Sequence, residues 1–307
     1  MSALRDRLDD YVALRRSMGF VMKESSLLVS FVRYMDQRET SRVTTDLAVS
    51  WAVSSTGGLA VTRSQRLGVV RAFSVYLHAL DPAHEVPPVD LLPGPYTRIT
   101  PYIYCEADIA ALLAAAGSLP PSWRGLTYRT LIGLLAATGI RLGEALGLND
   151  DDLDHHRSVM TVRHTKREIA REVPLHHSVL EVLVDYAAAR DRVFPARDSN
   201  SLLVSTRGRR LGACTVEHTF ARLVGAAGLV IPLGRRRPRA HDLRHTYAVR
   251  ILMAWHLGGV DVDVAMPGLS KAMGHANPAS TYWYLQAVPE LFEVVAARVR
   301  PAFEILA

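Results

Sequence analysis

ATGIRLGEALGL, residues 137–148, is the stretch whose reading decides the fold. It starts in the last turn of an apolar helix expected over Leu126–Thr138 and breaks at Gly139, a residue suited to a tight turn. It reopens at Arg141 as a short helix through Leu148. Arg141 and Glu144 stand three apart, a spacing that alone reads as an ordinary helix-surface ion pair. Further along, the period changes. Ser158–Val162 alternates like a strand, HTKREIA turns, and REVPL returns, so residues 158–175 read as a hairpin with Lys166 on its turn. Val179–Ala189 is helical and Ser201–Ser205 reads as a short strand. Helices resume at Thr215, interrupted by a basic loop at 231–240 and a Gly/Pro-containing stretch at 258–268.

Upstream of 137, Cys105–Ala116 is an amphipathic helix with Glu106 and Asp108 near its positive N-terminal end. Before it lie six prolines between residues 81 and 101 (82, 87, 88, 93, 95 and 101), a stiff connection that no helix crosses. The first 80 residues carry apolar positions at helical spacing: Leu4, Leu8, Tyr11, Leu14 and Met18, then Leu28, Phe31, Val32 and Met35. Gly19 and Phe20 break the pattern, Thr44-Thr45-Asp46 caps a third helix, and Val61–Leu80 forms a fourth with Leu67, Val70, Phe73, Val75 and Leu77 available for burial. The expected organisation is a helical domain over 1–85, a proline-rich linker over 86–101 and a second domain over 102–307, mainly α with a small antiparallel sheet.

Composition excludes several classes of protein. No run of about 18 apolar residues predicts a membrane span, and the charged N-terminus MSALRDRLDD lacks the apolar stretch of a secretory signal. Two distant cysteines, Cys105 and Cys214, support neither a disulfide framework nor a zinc cluster, which points to a cytoplasmic setting. The 36 Lys+Arg against 30 Asp+Glu, with a pI near 9.5, permit nucleic-acid binding without requiring it. Arg207, Arg209 and Arg210 form one cluster; either this or the next reads alone as a solvated loop. Arg235, Arg236, Arg237 and Arg239 precede the phrase HDLRHT (241–246), where they are placed to follow a phosphate backbone.

Six residues in four phrases make up a phosphoryl-transfer set without a metal: Arg141, Lys166, His241, Arg244, and from MGHANPASTYWY (273–284) His275 and Tyr284. Breaking and remaking a phosphodiester needs charge stabilisation on the non-bridging oxygens, an in-line nucleophile and a proton for the leaving oxygen. The guanidinium forks of Arg141 and Arg244 suit the first need, with His275 as a third donor. Lys166, on its turn, suits the last, His241 manages the tyrosine proton, and Tyr284 forms a covalent phosphotyrosine. Each residue singly has a structural explanation. His241 and His245 lie four apart, a spacing that can bind zinc, but no glutamate accompanies them and Arg244 repels a cation. No metal and no cofactor is expected.

The four phrases together resemble the tyrosine recombinase (phage integrase) family. TGIRLGEALGL resembles the family's first arginine motif, with Arg141 catalytic and Glu144 a supporting acid. The segment ending REVPL resembles its hairpin with the catalytic Lys166. HDLRHT resembles the HxLRH box, and MGHANPASTYWY resembles the LGH box with the nucleophile nine positions after the histidine, which selects Tyr284 over Tyr282 and Tyr102. Met273 stands where the family usually has leucine, and residues 258–270 lengthen the gap between the last two boxes, as a surface loop or a protomer contact. The resemblance implies a SAM-like core-binding domain and a catalytic domain forming a two-domain C-shaped clamp on double-stranded DNA. It implies a 3′-phosphotyrosyl intermediate, a Holliday junction and a homo- or hetero-tetramer assembled on DNA, with sister recombinases among the partners. In a bacterium the setting would be the nucleoid. With no further DNA-binding domain ahead of residue 1, a mobile-element recombinase is favoured over the larger phage type. A type IB topoisomerase-like relaxing enzyme and a non-catalytic DNA-binding accessory protein are the alternatives.

Overall fold

The computed structural model describes residues 3–20, 22, 25–54, 60–92, 100–163, 170–231, 236–274 and 281. The chain divides into two compact units, residues 1–98 and 99–307. Among the described residues the first holds four helices: α1 Ala3–Ser17, α2 Ser25–Asp36, α3 Thr45–Val53 and α4 Ala60–Leu80. Helical spacing puts Leu4, Leu8 and Tyr11 of α1 on one face against Phe31, Met35, Trp51 and Phe73, all buried. Each such side chain contributes about 1.5–3 kcal/mol on leaving water. Val75 departs from the expected core and is 48% exposed. It lies about 200° round α4 from Phe73, on the solvent side. Leu14 and Met18 are exposed too, Met18 because α1 ends at Ser17.

Thr44 caps α3 by accepting from the Leu47 N–H at 3.3 Å. The start of the proline-rich stretch is pinned beside this cap. Val43 N–H donates to His84 Nδ1 at 3.1 Å and Thr45 N–H to a Glu85 carboxylate oxygen at 2.8 Å.

The second unit contains α5 Glu106–Gly117, α6 Ser122–Thr138, α7 Leu142–Gly147, strands β1 Leu153–Asp154, β2 Val159–Val162 and β3 Arg171–Pro174, then α8 His177–Val193, α9 Ala213–Ala226, α10 Ala240–Leu257 and α11 Val262–Met273. The sheet is antiparallel in the order β1-β2-β3, with Met160 opposite both Leu153 and Val173. Alternation turns Met160, Val162 and Val173 toward a core shared with Leu131, Leu135, Leu146, Phe220 and Leu243.

Three elements differ from expectation. Helix α6 begins at Ser122, four residues early, because Pro121 needs no N–H at a helix entrance. Ser201–Ser205 forms only isolated bridges to Asn149 and Arg210. The carbonyls of Ser201 and Leu202 are taken by the buried Arg190 guanidinium, which replaces a strand partner. The stretch 258–270 is largely helix, in spite of Pro267. Asp261 caps α11 by accepting from Asp263 and Val264 N–H. Pro267 lies on the exposed side, where a missing helix hydrogen bond costs least, while Met266, Leu269 and Met273 pack on Ala248, Val249 and Leu252 of α10.

Candidate active site

The site is assembled on two helix ends, each closed by a left-handed glycine. Gly139 ends α6 at φ 63° and Gly274 ends α11 at φ 64°. A side chain at either would be strained, and would also collide: a Cβ on Gly139 would overlap the Tyr247 ring, and one on Gly274 would meet the Arg171 guanidinium at 2.6 Å. The last carbonyls of a helix lack internal partners and carry its negative end. Here arginines take them. Arg244 donates to Gly139 O at 2.7 Å and Met273 O at 2.5 Å, Arg141 to Gly274 O at 2.8 Å, and Arg171 to Ala272 O at 2.9 Å. Three consecutive carbonyls of α11 thus receive three arginines from α10, the start of α7 and β3.

Glu144 organises two of them. Its buried carboxylate takes the Arg141 guanidinium at 2.7 Å, the Arg141 N–H at 2.9 Å, and both terminal nitrogens of Arg171 at 2.7 and 3.1 Å. Burial alone would raise the Glu144 pKa. Hydrogen bonds and charge from Arg171 and Arg141 outweigh it and hold the carboxyl below its ordinary 4.5. The Arg141–Glu144 pair is therefore not a helix-surface ion pair: the acid side chain is 3% exposed.

His241 and Arg244 come from the first two turns of α10. That helix is started by Asp242, whose buried carboxylate accepts from the Arg239 N–H at 2.8 Å and the Arg239 guanidinium at 3.0 Å. Tyr104 secures the same turn, its hydroxyl donating to Arg239 O at 2.9 Å and its N–H to Thr246 Oγ1 at 3.0 Å. Arg244 is buried, whereas His241 is open to solvent on a cavity of about 640 Å³ lined also by Arg141, Arg236, Arg237 and Arg239. Partial desolvation, then the charges of Arg244, Arg239 and Arg141, lower its pKa below 6.5, so the imidazole is neutral at pH 7. The ring sits edge-on to His245, with centroids 4.9 Å apart. Among the described residues no cluster of His, Cys, Asp or Glu could hold a metal ion.

Of the six expected site residues, the structure brings Arg141, His241 and Arg244 together. Lys166, His275 and Tyr284 lie outside the described residues, as do Tyr282, Arg235 and residues 282–307. In sequence Lys166 falls between β2 and β3, and His275 directly follows Gly274. Arg163, just before the undescribed 164–169, donates to buried Asp152 at 2.5 Å and anchors the end of β2.

Sequence reasoning passed over Arg171, although a signal existed. Alternation along REVPL sets it on the same strand face as buried Val173. It also gave Arg210 only a solvated-loop reading. Arg210 donates to Leu146 O at 2.7 Å and Asn149 Oδ1 at 2.6 Å, closing the end of the helix that Arg141 opens.

Comparison with known proteins identifies the family. The phage integrase family model matches residues 105–290. The candidate integrase/recombinase y4rB of Sinorhizobium fredii is 35% identical over 99% of this chain and 99% of its own. Tyrosine recombinase XerC of Mycobacterium bovis is 28% identical over 98% of this chain and 99% of its own. Among solved structures, the Tn1549 transposon integrase in complex with transposon right end DNA superposes with a TM-score of 0.68 at 20% identity, covering 96% of this chain and 98% of that one. A lambda integrase tetramer bound to a Holliday junction gives 0.61 at 19% identity, covering 91% of this chain and 79% of that one. The chain belongs to the phage integrase family of tyrosine-type site-specific DNA recombinases. Among the described residues no helix is long and apolar enough to cross a membrane.

Proposed function

We propose that this protein cuts and rejoins duplex DNA with Tyr284 as nucleophile. The tyrosine oxygen attacks the scissile phosphorus and the 5′ oxygen leaves. One phosphodiester is exchanged for a 3′-phosphotyrosyl ester, so rejoining needs neither ATP nor metal. Arg141, Arg244 and His275 bind the non-bridging oxygens, Lys166 protonates the leaving oxygen, and neutral His241 accepts the tyrosine proton. The observation that carries this reading is the convergence of Arg141 and Arg244 on adjacent carbonyls at the end of α11, immediately before His275 in sequence. His241 shares a cavity with Arg141, and the exposed arginines 236, 237 and 239 on it are suited to a phosphate backbone.

Residues 1–85 would serve as the core-binding domain and 102–307 as the catalytic one, joined by 86–101. By analogy with the lambda integrase tetramer on a Holliday junction, strand exchange would use four protomers, identical or from sister recombinases, at a bacterial nucleoid. The test is a covalent protein–DNA adduct that survives denaturation and EDTA. Tyr284→Phe abolishes it and Tyr282→Phe retains it; the reverse pattern moves the nucleophile to Tyr282. Relaxation by a monomer of plasmids carrying no special site would replace recombination with topoisomerase action. DNA bound without any cleavage would leave only an accessory role.

A further inference from the structure

Arg171 belongs to no part of the catalytic set above, yet its side chain makes three hydrogen bonds at the site. Its side chain is 8% exposed, and its guanidinium spends both terminal nitrogens on Glu144 and its Nε on Ala272 O. Glu144 then accepts four N–H bonds, two from Arg171 and two from Arg141, the full capacity of a carboxylate. Arg141 in turn holds Gly274 O, two residues past the carbonyl Arg171 holds. The contacts close a ring: β3, Glu144, Arg141, the end of α11, and back to β3. Gly274 fits this ring only because it lacks a Cβ.

We propose that Arg171 is a positioning residue for strand cleavage. It sets the Arg141 fork through Glu144 and fixes the end of α11 that leads into His275. Arg171 also ties the start of β3 to the same two groups. Lysine could supply the charge here but not the planar fork that reaches two carboxylate oxygens and a carbonyl together. The inference rests on the recombinase reading for its catalytic consequence, though not for the contacts themselves.

The experiment compares wild type with Arg171→Lys, Arg171→Gln, Arg141→Ala, the double variant Arg141→Ala/Arg171→Lys, and Glu172→Ala as a same-strand control. Cleavable duplexes are first recovered as covalent adducts of wild type from a random DNA pool. Adduct formation is then timed in single turnover beside DNA affinity, and amide hydrogen exchange is followed in the DNA-free proteins. Both Arg171 variants should bind DNA within about threefold of wild type and cleave about 100-fold more slowly, the effect of small misplacement in a reacting site. The double variant should be no slower than Arg141→Ala, because the two residues act as one unit. Exchange should rise over 137–148 and 268–274 and stay unchanged over α5 and α8. Cleavage by Arg171→Lys within twofold of wild type, additive loss in the double variant, or unchanged exchange at both segments would each overturn the proposal. A wild type that traps no DNA would instead refute the recombinase reading, and the exchange result would still decide whether Arg171 holds the two segments.

Discussion

Arg171 and Glu172 are neighbours on β3, and each belongs to an arginine–carboxylate pair of nearly the same geometry. On one face Arg171 reaches Glu144, with a closest approach of 2.7 Å and side chains 8% and 3% exposed. On the other Glu172 takes Arg157 through two bonds of 2.7 and 2.9 Å, with side chains 60% and 53% exposed toward solvent. Distance does not distinguish them; surroundings do. The outer pair exchanges water for a partner and is screened by salt. The inner pair has no water to return to, so removing either member strands a buried charge.

The comparison breaks most readily at Glu144. Glu144→Ala should destabilise the second unit by about 3–5 kcal/mol, a drop in melting temperature of roughly 6–20 °C at about 2–4 °C per kcal/mol. A calorimetric change below about 1 kcal/mol would mean that Arg171 finds other partners. Next in size is Gly139→Ala. A left-handed alanine costs about 1–2 kcal/mol, to which displacement of Tyr247 adds; thermal melts should show the loss, and a crystal structure a moved Tyr247 ring.

Acid sharpens the same contrast. The folded Glu144 pKa lies below its ordinary 4.5, so its stabilisation is complete above that value and is lost as pH falls through the depressed one. The stability gap between wild type and Glu144→Gln should therefore be constant from pH 7 to about 5 and shrink below about 4.5, as denaturant titrations can show; a gap that widens in acid would reverse the assignment. Smallest of all, Glu172→Ala should leave the melting temperature unchanged in 0.5 M salt. A clear shift there would mean that the outer pair is not solvent-screened.

The two units differ in how much their sequence disclosed. In the first, helical spacing and the Thr44 cap were enough to place α1 to α4, since amphipathic helices advertise their buried faces; only Val75, Leu14 and Met18 were put on the wrong side of that boundary. In the second, Pro267 and the adjoining Gly268 concealed α11. A proline reads as a helix stop, and only packing of Met266 and Leu269 against α10 reveals that the helix carries on through it. Strand β1, two residues long, is below what alternation can signal. Arg171 was legible through its place two positions before Val173 on the same strand face, but a single charged residue at a strand end gives no sign of its partner in a four-residue strand.

Sequence alone determined the chemical inventory and its order: two arginine phrases, a histidine box and glycines placed to end helices. Local spacing suffices for that, because caps, turns and apolar periods are properties of short segments. Only the tertiary structure decided that Glu144 is buried, that two arginines share it, and that three arginines converge on residues 272–274. These are contacts between residues up to 133 positions apart, and their strength comes from exclusion of water, which only a folded chain can impose.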